Sequence, residues 1–262
     1  MSGLGGSIED FYGEDASAYA FVSEDRDFAA QAGFLADKIV RLASGGRFLE
    51  LFAGPARHSQ ELTRQHGVSC VAVDASPHMK RIATGAGGLP PQSYVVCRLP
   101  ELPATDVLGG AFDGVSILRY SVGYLAPAAL HELLVRLNGM LKPAGRIVFE
   151  LHDLDLVRAD FRDLEIRERT AWRADGTGVR CVWPASPLRW RKDDWVVEME
   201  VFIQHLDGAR VVAERTFQSI ERIYAKSEIA ALAQATGHFR VAGPDITSSA
   251  FAGGPLLVLE RL

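Results

Sequence analysis

The sequence predicts an α/β fold built on a mostly parallel sheet, with an antiparallel β-ribbon inserted late in the chain. Three observations carry this. In the first half, strand-like runs alternate with helix-like runs, the pattern of parallel βαβ units. After residue 160 the helices stop and strand-like runs follow one another. Asp175-Gly176 and Asp207-Gly208 lie between pairs of these runs, and Asp-Gly favours tight hairpins. Helix then returns, followed by two last strands.

In order, residues 28–43 carry Phe28, Ala32, Leu35, Ile39 and Leu42 at helical spacing. Residues 47–52 read as a strand, 56–66 as a helix, 69–74 as a strand and 77–83 as a short helix. Strands are expected at 94–97 and 112–118, and a helix at 126–141. That helix stops before Lys142-Pro143-Ala144-Gly145, because proline cannot continue it and glycine accepts a positive φ. A strand follows at 145–151. The ribbon strands are expected at 162–171, 178–183, 195–205 and 210–220, a helix at 226–235, and strands at 238–242 and 255–260. Pro, Gly and Ser gather at 84–93 and 243–255, read as ordered loops. The chain thus divides into a leading segment 1–27, an α/β core 28–160, a ribbon 161–222 and a closing helix and hairpin 223–262.

Composition narrows the function. Of 262 residues, 48% are hydrophobic and 23% charged, values of a folded globular chain. Lys and Arg total 28 against 33 Asp and Glu, so the net charge of −5 lacks the positive field that nucleic acid demands. No apolar run approaches the roughly 20 residues that span a bilayer, and the N-terminus lacks a basic region followed by an apolar one. These features predict a cytoplasmic protein without a membrane or nucleic-acid partner. Cys70, Cys97 and Cys181 are widely spaced and odd in number, which suits three reduced thiols rather than a zinc site or a disulfide framework, so no metal is expected.

The informative stretch runs from Phe48 through Glu50, Phe52, Ala53, Gly54 and Arg57 to His58: an apolar strand, small residues, then a helix. In open α/β sheets ligands bind beyond the carboxyl ends of the strands, and a helix N-terminus offers free N–H groups to anionic ligand groups. A dinucleotide site would place glycines at three positions that here read Phe52, Gly54 and Arg57, and Arg57 is too large for the third. Asp74 ends the second strand, 20 positions after Gly54. A carboxylate there accepts both hydroxyls of a ribose; the alternative is a cap on the helix that starts near Pro77. Ala75 follows, and Met79 brings a polarizable sulfur that suits a purine face.

The run Leu49–Ser59, with Val73-Asp74-Ala75-Ser76-Pro77-His78-Met79, resembles the cofactor site of class I S-adenosylmethionine-dependent methyltransferases. Phe112–Leu118 is similar to that family's fourth strand, and Leu137–Gly145 to its helix and turn before the fifth. Together these cover roughly residues 28–151. The resemblance implies a Rossmann-like, seven-stranded, mostly parallel sheet with helices on both faces and a terminal reversed hairpin. It implies S-adenosyl-L-methionine as cofactor, held by Glu50, Phe52, Ala53, Gly54, Arg57, Asp74, Ala75, Met79 and Leu118. Phe52 and Ala56 stand where the family usually has glycines. Arg98 or Leu99 stands where it often has an acidic residue near the adenine.

The implied reaction is an in-line methyl transfer to a small-molecule acceptor; the alternatives are a fold relative that binds the cofactor without methyl transfer and, disfavoured by Arg57 and the terminal hairpin, a nucleotide-dependent oxidoreductase. The string Arg119-Tyr120-Ser121-Val122-Gly123-Tyr124 lacks the tetrad of adenine-N6 methyltransferases and is closer to the small-molecule branch, such as the nucleotide-sugar N-methyltransferases. Tyr120 and Ser121 are candidate acceptor contacts. Tyr124 stands where some of those enzymes have a histidine thought to act on the acceptor amine, and either deprotonates the acceptor or packs under a loop. His152, directly after the fifth strand, is either a base, a role that suits an imidazole, or a surface histidine bonded to Asp153 or Asp155. In the family a tyrosine ahead of the first helix often closes over the methionine moiety; Tyr19 fits that role and Tyr12 the acceptor side, against a reading as core. Ser249 and Phe251 fall where smaller members place acceptor contacts. Trp190, between Arg189 and Arg191, suits an acceptor pocket, a homodimer face or packing of the ribbon on the sheet.

Overall fold

The computed structural model describes residues 6–24, 26–39, 45–155, 167–243, 248–252 and 254–262. They fall into two compact units. One contains residues 27–153 and 224–262, the other residues 1–26 and 154–223.

The larger unit is a seven-stranded sheet. Its strands are β2 (Arg47–Leu51), β3 (Ser69–Asp74), β4 (Tyr94–Val96), β5 (Phe112–Ile117), β6 (Leu141–Glu150), β12 (Phe239–Val241) and β13 (Leu256–Arg261). They lie in the order β12-β13-β6-β5-β2-β3-β4. The five from β6 to β4 are parallel, while β13 runs antiparallel to β6 and β12 antiparallel to β13. From β2 the chain steps outward to β3 and β4, then returns to the other side of β2 at β5. Strand order therefore reverses between β2 and β5, where such sheets leave a crevice at their carboxyl edge.

Alternation along the strands builds two cores. Leu49, Leu51, Val71, Val73, Val115, Ile117, Ile147 and Phe149 face one side. There they meet α6 (Pro127–Met140) through Leu130, Leu133, Leu134 and Leu137, and α7 (Lys226–Ala235) through Ile229 and Ala233. Phe48, Cys70, Val148, Leu256 and Val258 face the other side. They pack with α3 (Phe28–Phe34), its π-helical continuation Leu35–Ile39 and α4 (Arg57–His66), through Ala32, Leu35 and Leu62. Period two in the strands thus meets a helical stripe on each face.

Residues 142–145, expected as a turn, fall inside β6 and differ from expectation in their backbone. The positive φ belongs to Ala144 (φ 60°) rather than to Gly145. Gly145 is required for space instead, since a Cβ there would lie 2.8 Å from the Lys142 carbonyl oxygen. The segment expected as helix to residue 43 is described only to Ile39, and the part of the expected 162–171 strand before Arg167 lies outside the described residues.

The smaller unit holds the antiparallel strands β7 (Arg167–Trp172), β8 (Thr177–Trp183), β10 (Val196–Asp207) and β11 (Arg210–Arg222). Strand β9 (Arg189–Arg191) pairs with β10, and β1 (Gly6–Ser7) pairs parallel to β11. Asp175-Gly176 and Asp207-Gly208 make the two hairpin turns, with both glycines at positive φ. Helices α1 (Ile8–Gly13) and α2 (Ala16–Val22), which periodicity did not suggest, belong to this unit. Phe11 of α1 sits 5.1 Å from Phe217 and 6.0 Å from Trp183 between ring centres. Asp15 meets His205 at 2.8 Å.

Candidate active site

The carboxyl ends of β2, β3, β5 and β6 bring together four short segments of the chain. Phe52–Ala56 forms a tight turn between β2 and α4. Phe52, Gly54 and Ala56 all take left-handed backbone, at φ 52°, 50° and 54°. Only glycine does so without strain; each of the other two costs about 1–2 kcal/mol. The turn is fastened at several points. Ala56 N–H donates to the Ala53 carbonyl at 2.7 Å and Ala53 N–H to the Val73 carbonyl at 3.0 Å. The buried Tyr94 hydroxyl donates to the Gly54 carbonyl at 2.7 Å, and Gln60 donates to the Pro55 carbonyl at 2.9 Å.

Two carboxylates hold this turn. Asp74 accepts the Gly54 N–H at 2.9 Å on one oxygen and the Ser76 N–H at 2.8 Å on the other. It is not the cap of α5 (Pro77–Ala83); that is Ser76, whose hydroxyl accepts the Met79 N–H at 3.2 Å. Burial raises the Asp74 pKa above the ordinary carboxylate value, against the pull of the backbone N–H bonds from Ser76, Gly54 and Ala75. Glu50 is buried below the turn. One oxygen lies 3.0 Å from His58 Nδ1 and the other accepts the Ser59 N–H at 2.9 Å. Glu50 therefore grips α4 from the strand that precedes the turn.

Beside it, β5 ends in a second strained turn. Arg119 and Tyr120 are consecutive non-glycine residues in left-handed backbone, at φ 54° and 61°. The buried Glu150 carboxylate accepts the Arg119 N–H at 2.7 Å. Tyr120 stacks on His152, ring centres 4.3 Å apart and planes 19° off parallel. Tyr124, at the end of the 3₁₀ turn Ser121–Tyr124, sits 6.4 Å from the Phe52 ring. One sheet edge thus carries Phe52, Gly54, Asp74, Tyr120, Ser121, Tyr124 and His152.

The sequence matches the family described as methyltransferase domain over residues 26–194. This chain belongs to that methyltransferase family. No curated protein matches it. Among solved structures, DesVI of Streptomyces venezuelae superposes with a TM-score of 0.71 at 22% identity, covering 94% of this chain and 96% of its own. SAM-bound CalS10 of Micromonospora echinaspora, an amino pentose methyltransferase, gives 0.67 at 19% identity and full coverage of both chains. The sugar N-methyltransferase KedS8 of Streptoalloteichus sp. gives 0.68 at 19%, covering 100% of this chain and 95% of its own. At such identities the likeness is one of fold.

Not every residue singled out in the sequence of this methyltransferase lies open at that edge. Glu50 has both oxygens committed to α4, and Met79, Leu118 and Phe251 are buried. Ala53 is buried in the turn and Ala75 is exposed beside Asp74. Arg57 bonds Gln60 at 3.3 Å. Leu99 packs against the core and Arg98 is exposed. The Ser249 carbonyl accepts the Ala252 N–H at 3.0 Å. Tyr12, Tyr19 and Trp190 belong to the other unit. There Tyr12 and Tyr19 lie 5.0 Å apart edge-on, and Trp190 packs edge-on against Trp195 at 5.8 Å. Sequence reasoning gave no role to Gln31, His58, Tyr94 or Glu150. Each has a partner 27 or more residues away, which local spacing cannot show. Among the described residues no cluster of His, Cys, Asp and Glu could hold a metal ion, and no helix is long and apolar enough to cross a membrane.

The left-handed Ala56 gives a test. It is fully buried, so Ala56→Val adds a β-branch at positive φ as well as volume, and should cost about 2–3 kcal/mol. Ala56→Gly relieves the backbone and should stay within about 1 kcal/mol of the parent. Urea denaturation of the three proteins measures both.

Proposed function

We propose that this chain transfers a methyl group from S-adenosylmethionine to a small-molecule acceptor. The observation that carries the proposal is the Asp74 carboxylate. One of its oxygens accepts the Gly54 N–H and the other the Ser76 N–H, with a smaller pull from the Ala75 N–H. Two acceptor sites on one carboxylate, aimed from a strand end beside a tight turn, fit the vicinal hydroxyls of a ribose. Gly54 and Ala53 present small side chains and backbone to the same ligand. When bound, S-adenosylmethionine supplies an electrophilic methyl group on a sulfonium.

The acceptor side in this reading is the strained turn after β5 with His152. Tyr120 holds the His152 ring flat against its own, which fixes the imidazole's orientation. His152 and Tyr124 take the proton that an amine or hydroxyl acceptor must lose. An unperturbed phenol is a weak base at neutral pH, so His152 is the better placed of the two by chemistry. Ser121 and Tyr120 bond the acceptor's polar groups. The amino pentose and sugar acceptors named for CalS10 and KedS8 favour an amino sugar as the acceptor class.

Two outcomes test this. Asp74→Asn removes the charge but keeps the shape, and should weaken S-adenosylhomocysteine binding about 10- to 100-fold, the worth of charge-assisted hydrogen bonds. Asp74 must be ionised to accept both hydroxyls, and burial raises its pKa. Affinity should therefore fall as pH is lowered through that raised value, at a higher pH than an ordinary carboxylate would give. The variant should lack this fall, and calorimetric titration across pH measures it. Equal affinity in a folded Asp74→Asn would remove the ribose role. Separately, Tyr124→Phe and His152→Ala should leave S-adenosylhomocysteine affinity within about threefold. At least one should lower turnover of a nucleotide-linked amino sugar about 100-fold, the scale of general-base catalysis. Wild-type rates in both would clear them of proton transfer.

A further inference from the structure

The hydrogen bonds beneath the β2–α4 turn continue past Glu50. His58 Nε2 lies 2.8 Å from the Gln31 side-chain oxygen, and the Gln31 amide nitrogen donates to the Ala250 carbonyl at 2.7 Å. Gln31, His58 and Glu50 are all buried. The chain's direction is forced from its end. A backbone carbonyl only accepts, so Gln31 turns its NH2 group to Ala250 and its oxygen to His58. Nε2 of His58 must then carry a proton and donate it. At the other nitrogen, one proton lies between Nδ1 and the near oxygen of Glu50, whose far oxygen takes the Ser59 N–H.

Ala250 belongs to the 3₁₀ turn Ser249–Phe251. Helix α3 grips that turn twice from one face. Gln31 bonds its carbonyl, and Phe34 packs edge-on against Phe251 at 5.8 Å. Phe28, three residues before Gln31 on the same helix face, packs edge-on against the His58 ring at 5.1 Å. The turn's position in the sheet gives this contact a functional address. It precedes β13, whose first residue Leu256 pairs with Glu150, and the Pro255 carbonyl accepts the Leu151 N–H at 3.0 Å. The chain leading from the turn into β13 therefore reaches the sheet edge that carries Glu150 and His152.

We infer that Gln31 and His58 are positioning residues that couple the β2–α4 turn to the Ser249–Phe251 turn, so that a ligand seated on the first tightens the second. The inference rests on the cofactor reading given above. Ligand contact stiffens the Gly54 turn, whose two flanks Glu50 clamps. Hydrogen bonds in a buried chain polarise one another, and order gained at one end lowers the cost of order at the other. Cofactor occupancy would in this way prepare the acceptor side before the acceptor arrives.

Hydrogen–deuterium exchange of the full chain, with and without S-adenosylhomocysteine, tests it. In the wild-type protein the ligand should slow exchange of the amides of residues 248–252 at least threefold. Gln31→Glu keeps an oxygen for His58 but offers no donor to the Ala250 carbonyl. Gln31→Met keeps the volume and offers neither group. Both should bind S-adenosylhomocysteine within about threefold of wild type by calorimetry, yet lose the ligand-dependent slowing at 248–252. A variant that fails to fold leaves the other to decide, and the wild-type comparison stands without either. Binding to wild type without any slowing there, or full slowing in a folded Gln31→Met, would overturn the coupling and leave the cofactor assignment intact. No binding to wild type would overturn both.

Discussion

Glu50 accepts the Ser59 N–H and faces His58 Nδ1, so a residue of β2 holds the first turn of α4 across the five residues between them. That grip is what a strained loop needs. Phe52 and Ala56 would relax out of left-handed backbone if the two flanks were free to move apart. A buried carboxylate satisfied by a backbone N–H and an imidazole is a fixed tie, because breaking either bond strands a charge away from water. The same tie places Gly54 where Asp74 can reach its N–H.

The device is used twice at this edge. Glu150, at the end of β6, accepts the N–H of Arg119 and so supports the left-handed pair Arg119-Tyr120. Each strained turn costs a few kcal/mol of backbone energy. Each is met by a charge-assisted hydrogen bond worth about 1.5–3 kcal/mol. The result is a rim in which the fold places Asp74, Tyr120, Tyr124 and His152, leaving a ligand to add the last of the order. Preorganisation of this kind suits a transfer reaction, where alignment and exclusion of water supply most of the acceleration.

Much of this was legible in the sequence, for physical reasons. The apolar runs at 47–52, 69–74 and 112–118, and the Asp-Gly pairs, mark elements that the structure contains. The place of Asp74 at a strand end was legible because the strand pattern is local. What was not legible depended on distance or on backbone geometry. Phe52 and Ala56 look like lost glycines, yet the structure keeps glycine-like backbone at both, because Glu50, Asp74 and Tyr94 hold the turn from outside it. His58 reads as an ordinary helix residue until Gln31, 27 positions earlier, is brought against it. Helix α1 had a readable start after all. Ser7 and Asp10 form a capping box, the Ser-x-x-Asp signature, which the short amphipathic run behind it concealed.

The central claim is that the Gly54 turn and Asp74 form a site for an adenosyl sulfonium rather than for a dinucleotide. Calorimetric titration of the wild-type protein with S-adenosylhomocysteine and, side by side, with NADH tests it most directly. The account predicts binding of S-adenosylhomocysteine at about micromolar Kd, roughly −8 kcal/mol, and no heat from NADH. Binding of NADH alone, or of neither, would contradict it.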